Sequence, residues 1–289
     1  MSEEDKIFFS VVIPTYERPN DLRVCLNSLS NEAQLVAPNY EIIVTDDSMS
    51  DVSKKIVEKE FPHVSWGKGK QNGPAGNRNA GVNRAKGEWI LFIDDDCIAG
   101  KGYINAYYNA IMQNPEIVLY EGRIYPDRPR KTWAECCPEN TSGGMFWTSN
   151  LCVRKSTFLE IGGFDERFRV AYEDIDFAYR IISKGLKSKF VRHASVCHPW
   201  RTLKHEGNNW KPKGFEVSEL LLFIEKHPDA KEHNSPLVYS RHLIRMLIKD
   251  LPYVVFKLRF RGISILINKI ITTTRTIAVT LLIKIKTCI

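Results

Sequence analysis

No uncharged apolar run reaches the roughly 18 residues that a membrane-spanning helix needs, so none is expected in this 289-residue chain. The opening segment, Met1 to Asp5, is acidic and lacks the basic-then-apolar order of a secretory signal, so the chain is expected to stay in the cytosol. Seven cysteines are present, an odd number, but they are scattered. None forms a Cys-x-x-Cys pair or a Cys/His spacing suited to a structural metal, and a reducing compartment fits that usage. Internal repeats and low-complexity tracts are also missing.

Acidic residues are nearly absent from the C-terminus. From Arg241 onward there are ten Lys or Arg and one acid, Asp250, so this tail carries +9 while the whole chain carries +7. Everything before it is therefore slightly acidic, and the basic character belongs to the tail alone. Leu251 to Ile289 interleaves Leu, Ile, Val and Phe with Lys and Arg, a composition suited to an anionic membrane surface. No reader motif accompanies the charge, so nucleic acid is not expected as a partner.

The rest has an ordinary globular composition, with 43% hydrophobic and 26% charged residues, and the length allows a substantial core. Short β-branched runs alternate with helical patterns in the first half, which predicts an α/β domain with a mostly parallel sheet. Strands are expected at Phe8 to Pro14, Tyr40 to Thr45, Val64 to Gly67, Trp89 to Ile93, Ile117 to Ile124, Met145 to Val153 and Lys187 to Cys197. Helices are expected at Arg18 to Leu29, Gly73 to about Lys86, Gly102 to Gln113, Tyr172 to Lys184, Phe215 to Lys226 and Tyr239 to Lys249. The loop-like stretch from Arg201 to Lys213 marks a boundary, dividing the chain into a main domain over 1–205 and a helical, basic region over 206–289.

The early polar clusters fall at the C-terminal ends of strands, where open α/β sheets bind ligands. Asp94-Asp95-Asp96 follows a wholly apolar run. Three adjacent carboxylates repel one another, and an oxygen-preferring cation such as Mn²⁺ or Mg²⁺ would stabilise them and bridge diphosphate oxygens. Glu173-Asp174-x-Asp176 opens a helix, where acids often only complement the dipole, yet a positioned carboxylate is also what removes a proton from a hydroxyl. Asp174 is the candidate base. Arg78, about a turn into the helix after Gly73, with Asn77 beside it, is placed to meet an anion. Pro14-Thr15-Tyr16-Glu17-Arg18 offers a ring and a hydroxyl to a base or ribose, and Asp46-Asp47-Ser48 offers acceptors to a nucleobase N–H, although each alone also reads as an ordinary cap or turn.

Taken in order, these segments together with Gly76-Asn77-Arg78-Asn79-Ala80-Gly81 and Gly162-Gly163-Phe164-Asp165-Glu166 resemble the family 2 glycosyltransferases of the GT-A fold, from the first strand to about His198. The resemblance implies a Rossmann-like, mostly parallel sheet flanked by helices. It implies donor contacts from Pro14, Thr15, Tyr16, Glu17, Arg18, Asp46, Asp47, Asn77, Arg78, Asp94 and Asp95, a metal at Asp96 and His198, an acceptor contact at Glu173, and Asp174 as the base of an inverting, single-displacement transfer. The donor would be a nucleotide sugar, commonly a UDP-sugar, and the acceptor a glycan or lipid-linked glycan. The chain departs from processive synthases in having no Gln-x-x-Arg-Trp segment and no spanning helix, which implies addition of one sugar per event in polysaccharide or surface-glycan assembly. A basic tail would then hold the enzyme peripherally on the cytoplasmic face of a membrane. Two competitors remain open. A sugar-phosphate nucleotidyltransferase would carry a Gly-rich loop after the first strand, which is missing here, and a non-catalytic sugar-nucleotide or glycan-binding module would need the acids only for structure.

Overall fold

The computed structural model describes residues 6–34, 38–202, 215–232, 240, 243–257, 260 and 263–286. The chain divides into two compact units. The first comprises Met1–Asp127 and Pro138–Pro199, and the second Arg128–Cys137 and Trp200–Ile289. The expected boundary at 205/206 lies outside the described residues.

In the first unit the strands are β1 (Phe9–Thr15), β2 (Tyr40–Asp46), β3 (Ser65–Lys68), β4 (Trp89–Ile93), β5 (Ile98–Ala99), β6 (Leu119–Pro126), β8 (Asn150–Arg154) and β9 (Ser188–His198); β7 belongs to the second unit. They form one eight-stranded sheet in the order β3-β2-β1-β4-β8-β6-β9-β5. The β1–β2, β1–β4, β2–β3 and β6–β9 pairs are parallel, and β8 and β5 run against their neighbours. This is the mostly parallel α/β sheet that the alternation of strand and helix patterns predicted.

Helices α1 (Pro19–Ser28), α2 (Asn31–Gln34), α3 (Val52–Glu60), α4 (Pro74–Val82), α5 (Tyr103–Gln113), α6 (Lys155–Ile161) and α7 (Glu173–Ser183) complete the unit. Strand residues point alternately to two faces, and both are buried. Phe9, Val11, Ile13, Leu91 and Ile93 share a core with Leu22 and Leu26 of α1 and Tyr103 and Tyr107 of α5. Val12, Ile43, Ile90 and Phe92 face the other way, onto Ala75 and Val82 of α4, Phe158 of α6 and Phe177 of α7. Burial on both faces explains why β1 and β4 read as continuous apolar runs rather than alternating ones. At Gly81 a Cβ would lie 2.4 Å from Cγ1 of Val12, so only glycine lets α4 sit this close to β1.

One expected strand is shorter than its pattern. Residues 145–149 stay out of β8 because their N–H groups are drawn elsewhere: the buried Glu121 carboxylate accepts from Gly144, Met145 and Phe146. Left-handed backbone at Gly143, Gly144 and Phe146 shapes this loop.

In the second unit, β7 (Glu135–Cys136) pairs antiparallel with β10 (Arg201–Thr202). Arg130 stacks on Trp133, its guanidinium 4.1 Å from the ring centre, and donates to the carbonyls of Thr132, Trp133 and Glu135. The expected helix over 215–226 is present as α8 (Phe215–Lys226); of the one expected over 239–249, residues 239, 241 and 242 lie outside the described residues and a π-helical turn occupies Met246–Asp250, with a second turn following at Tyr253–Lys257. The last helix, α9 (Ile263–Lys286), packs Leu266 against Trp133 and Val254. Among the described residues no helix is long and apolar enough to cross a membrane.

Candidate functional site

Strands β1, β2 and β4 run parallel and side by side, so the loops after Thr15, Asp46 and Ile93 emerge at one sheet edge. A cavity of about 690 Å³ opens there. Of the residues singled out from the sequence, Pro14, Thr15, Tyr16, Arg18, Asp47, Asn77, Arg78, Asp94 and Asp95 line it. Met49, Gln71, Gly73 and Pro74 complete the wall. Nothing chemical marked Met49 or Gln71 in the sequence; their only signal is their place in the loops that follow β2 and β3. The volume suits a ligand of nucleotide size.

Two of the expected donor contacts are engaged with protein instead of the cavity. Asp46 is fully buried, its Oδ1 accepting from the Ser48 N–H at 2.8 Å and its Oδ2 from Trp66 Nε1 at 3.3 Å. Its neighbour Asp47 faces the cavity and accepts from the Gln71 N–H at 2.9 Å; burial raises its pKa and that N–H opposes the rise. Glu17 has left-handed backbone and ties the loop after β1 to the loop after β2, accepting from the N–H groups of Met49 and Ser50 and from the Ser50 hydroxyl. The Ser50 hydroxyl is the main cause of its lowered pKa.

The three aspartates have distinct partners. Asp95 accepts from the Thr15 hydroxyl at 2.7 Å and from Arg18 at 3.2 Å. Burial pushes its carboxyl up to about 7 despite Arg18 and Thr15. Asp94 accepts from Arg78 Nη2 at 2.7 Å. Asp96 meets Arg18 Nη1 at 3.1 Å on one oxygen and His198 Nε2 at 3.3 Å on the other.

His198 reaches this place through strand register. β5, which begins just after the aspartates, pairs with the end of β9 so that Ile98 sits opposite Cys197, and the next step brings His198 beside Asp96. Ligand atoms of Asp96, Cys97 and His198 lie within 4.8 Å of one another, and all three residues are buried. His198 Nδ1 sits 2.9 Å from the Pro199 carbonyl. A proton on Nδ1 would be donated there and would leave the Nε2 lone pair toward the Asp96 carboxylate. That is how a metal-binding imidazole is held. An imidazole beside a carboxylate fits Mn²⁺ or Mg²⁺, while the Cys97 thiol, pushed up by burial and by Asp94 and Asp96, is the softer and poorer donor for either ion.

Glu173 and Asp174 open α7, into which the chain turns through left-handed backbone at Tyr172. Neither lines the cavity. Arg78 connects Glu173 to it: its Nη1 donates to Glu173 Oε1 at 2.9 Å while its Nη2 holds Asp94. Glu173 is almost fully enclosed, so the expected acceptor contact is in this structure the partner of an arginine. Burial raises the pKa of both Glu173 and Asp174; Asp174 raises Glu173 further, and Arg78 opposes the rise at each.

A glycosyltransferase of Haemophilus influenzae is 29% identical over 191 residues, covering 61% of this chain and 62% of the relative. The GalNAc(5)-diNAcBac-PP-undecaprenol beta-1,3-glucosyltransferase of Campylobacter jejuni is 35% identical over 176 residues, covering 55% of each chain. This chain therefore spans less than two thirds of the length of either. Among solved structures, a fragment of S. aureus TarS in complex with UDP-GlcNAc superposes with a TM-score of 0.57 at 20% identity, over 75% of this chain and 66% of that one, which establishes a shared GT-A-like fold. The family model described as glycosyl transferase family 2 matches residues 10–170, more than half of the chain, taking in every loop that lines the cavity and stopping just short of α7. On that match, this chain belongs to glycosyl transferase family 2.

Proposed function

We propose that this chain transfers one glycosyl group from a nucleoside diphosphate sugar, a UDP-sugar foremost, to an acceptor hydroxyl with inversion at the anomeric carbon. The observation that carries this reading is the Arg78 fork, which ties Asp94 in the wall of the cavity to Glu173 at the start of α7. A donor site and a candidate base are thereby coupled through one side chain.

The nucleoside would lie along Pro14 to Arg18 and Asp47, with Asp46 and Glu17 fixing those loops from behind. Asn77, Arg78, Asp94 and Asp95 would face the ribose and diphosphate. Asp96 and His198 would hold Mn²⁺ or Mg²⁺, which when bound neutralises charge on the departing nucleoside diphosphate. Asp174 would take the acceptor's proton as its oxygen bonds to the anomeric carbon. The bond to the diphosphate breaks in that displacement, and its electron pair leaves with the nucleotide. Attack from the face opposite the leaving group inverts the centre.

The Campylobacter relative is named for a lipid-linked acceptor. The exposed Lys269, Arg275, Ile267 and Ile271 of α9 would suit an anionic membrane. We therefore extend the proposal to a glycan or lipid-linked glycan acceptor, met at the cytoplasmic membrane surface during surface-glycan assembly.

The test is incubation with radiolabelled UDP-sugars and Mn²⁺. Slow release of UDP supports a transferase, release of pyrophosphate a nucleotidyltransferase, and no turnover a binding module. Asp174→Asn should lower UDP release by about 100-fold or more while UDP still binds, because the base acts on the acceptor's proton and not on the nucleotide. Full turnover in that variant would remove Asp174 from the mechanism.

A further inference from the structure

The Arg78 guanidinium is a single cation shared between two places. Its side chain is only 6% exposed, and Nη2 and Nη1 are bound to Asp94 and Glu173. Its Nε is buried and donates to no protein acceptor among the described residues, and Glu173 Oε2 is buried and accepts from none. Arg78 also lines the cavity, whereas Glu173 does not. One unmet donor and one unmet acceptor thus sit on the two partners of one ion pair.

The groups that bear on the Asp174 carboxylate come from three places: Glu173 beside it on α7, Arg78 from α4, and Asp94 from the loop after β4. Arg78 alone among them is positive. Its field favours the ionised form of both acids on α7, and the field of Asp94 opposes it. An anion entering the cavity adds a further negative claim on the same cation. Less of the positive field then reaches α7, and the pair holds its proton more firmly.

We propose that Glu173 is a positioning residue which, through Arg78, takes up a proton when a diphosphate enters the cavity and so leaves Asp174 as the member of the pair open to the acceptor's proton. The inference rests on the reading of Asp174 as base and of the cavity as donor site. It adds an order of events, in which a proton settles on Glu173 as the donor loads, before the acceptor's proton moves. Coupling of this kind is reciprocal, so a nucleotide that favours protonated Glu173 must itself bind with uptake of protons by the protein.

The test uses UDP as the probe, with Mn²⁺ present, titrated calorimetrically at pH 7 in two buffers of different ionisation enthalpy. Any proton exchanged by the nucleotide's own phosphate is common to all proteins compared, so the difference between wild type and variant reports α7. Glu173→Gln keeps the shape and an acceptor for Arg78 but removes the charge. It should bind UDP no more weakly than wild type and take up about half a proton less. Glu173→Asp should restore part of the uptake, which a purely structural role would not do. Arg78→Lys, which cannot fork between two carboxylates, should lose the difference as Glu173→Gln does and serves if that variant fails to fold.

Equal uptake in wild type and in these variants overturns the coupling while leaving the transferase reading intact. Failure of UDP to bind wild-type protein overturns both.

Discussion

His198 Nε2 lies 3.3 Å from Asp96 Oδ1, although the two residues are 102 positions apart in the chain and meet through the pairing of β5 with β9. With Nδ1 facing the Pro199 carbonyl, the imidazole presents its remaining nitrogen to a carboxylate, an arrangement that a divalent cation would complete. We expect Asp96→Asn and His198→Ala each to weaken Mn²⁺ binding by at least about tenfold, read by electron paramagnetic resonance titration without any substrate. Cys97→Ser should leave Mn²⁺ binding nearly unchanged, since the thiol is the poorest of the three donors for a hard ion. Unchanged affinity in both the Asp96 and His198 variants would place the ion elsewhere.

The pair at the start of α7 predicts a direction for stability against pH. Both carboxyls titrate higher in the folded protein than in an unfolded chain, chiefly because burial penalises the charged form. The folded state therefore holds protons that the unfolded state has released. The associated stabilisation is full below the ordinary carboxylate range and declines as pH rises through the higher folded values. In chelator, wild-type protein should lose melting temperature between pH 5 and pH 8, and Glu173→Gln should lose less. A variant curve parallel to wild type across that interval would show that Glu173 does not titrate there.

The reach and the limits of the sequence follow from what each element depends on. β1, β2 and β4 were legible because their residues are buried on both faces and carry their own apolar pattern. Asp94 to Asp96 and the Pro14 to Arg18 loop were legible because a buried strand points to the position of its last residue. β5 was not, since two residues have no period and exist as a strand only through β9. The first part of the strand expected over Met145 to Val153, residues 145–149, is missing for a related reason: Glu121, more than twenty residues upstream, takes N–H groups that a ladder would have used. Likewise the division of labour between Asp46 and Asp47 depends on Trp66 and Gln71, which no local pattern could assign.

The core beneath α6 and α7 gives a prediction on stability alone. Phe164 is buried and its ring centre lies 5.1 Å from that of Phe92, 5.3 Å from Phe158 and 4.9 Å from Phe177. It joins the turn before α7 to β4, so it also sets the distance between the aspartates and the proposed base. Phe164→Ala should cost about 3–5 kcal/mol, through lost burial and an unfilled cavity. Thermal unfolding should show a melting temperature lower by on the order of 10 °C. A loss below about 1 kcal/mol would mean that the neighbouring rings close the gap, so that this cluster does not hold α7 in place.

The exposed positions of α9 set up the last prediction, because they include two kinds of group that water alone does not require together. Ile267 and Ile271 stand one helical turn apart at 47% and 43% exposure, and Lys269 and Arg275 are exposed on the same helix. Phe256 and Phe260, in the segment before it, are exposed at 81% and 58%. Apolar groups would enter the interface while the basic ones meet anionic headgroups, each contributing about 1 kcal/mol near the surface. The protein should sediment with vesicles containing phosphatidylglycerol and not with vesicles of phosphatidylcholine alone. Raising the salt to about 0.5 M should release much of it, since screening then acts within a few ångströms. Lys269→Glu combined with Arg275→Glu should reduce the bound fraction at low salt. Binding that ignores headgroup charge, or that survives this double reversal undiminished, would separate α9 from any membrane role and leave its exposed isoleucines to another explanation.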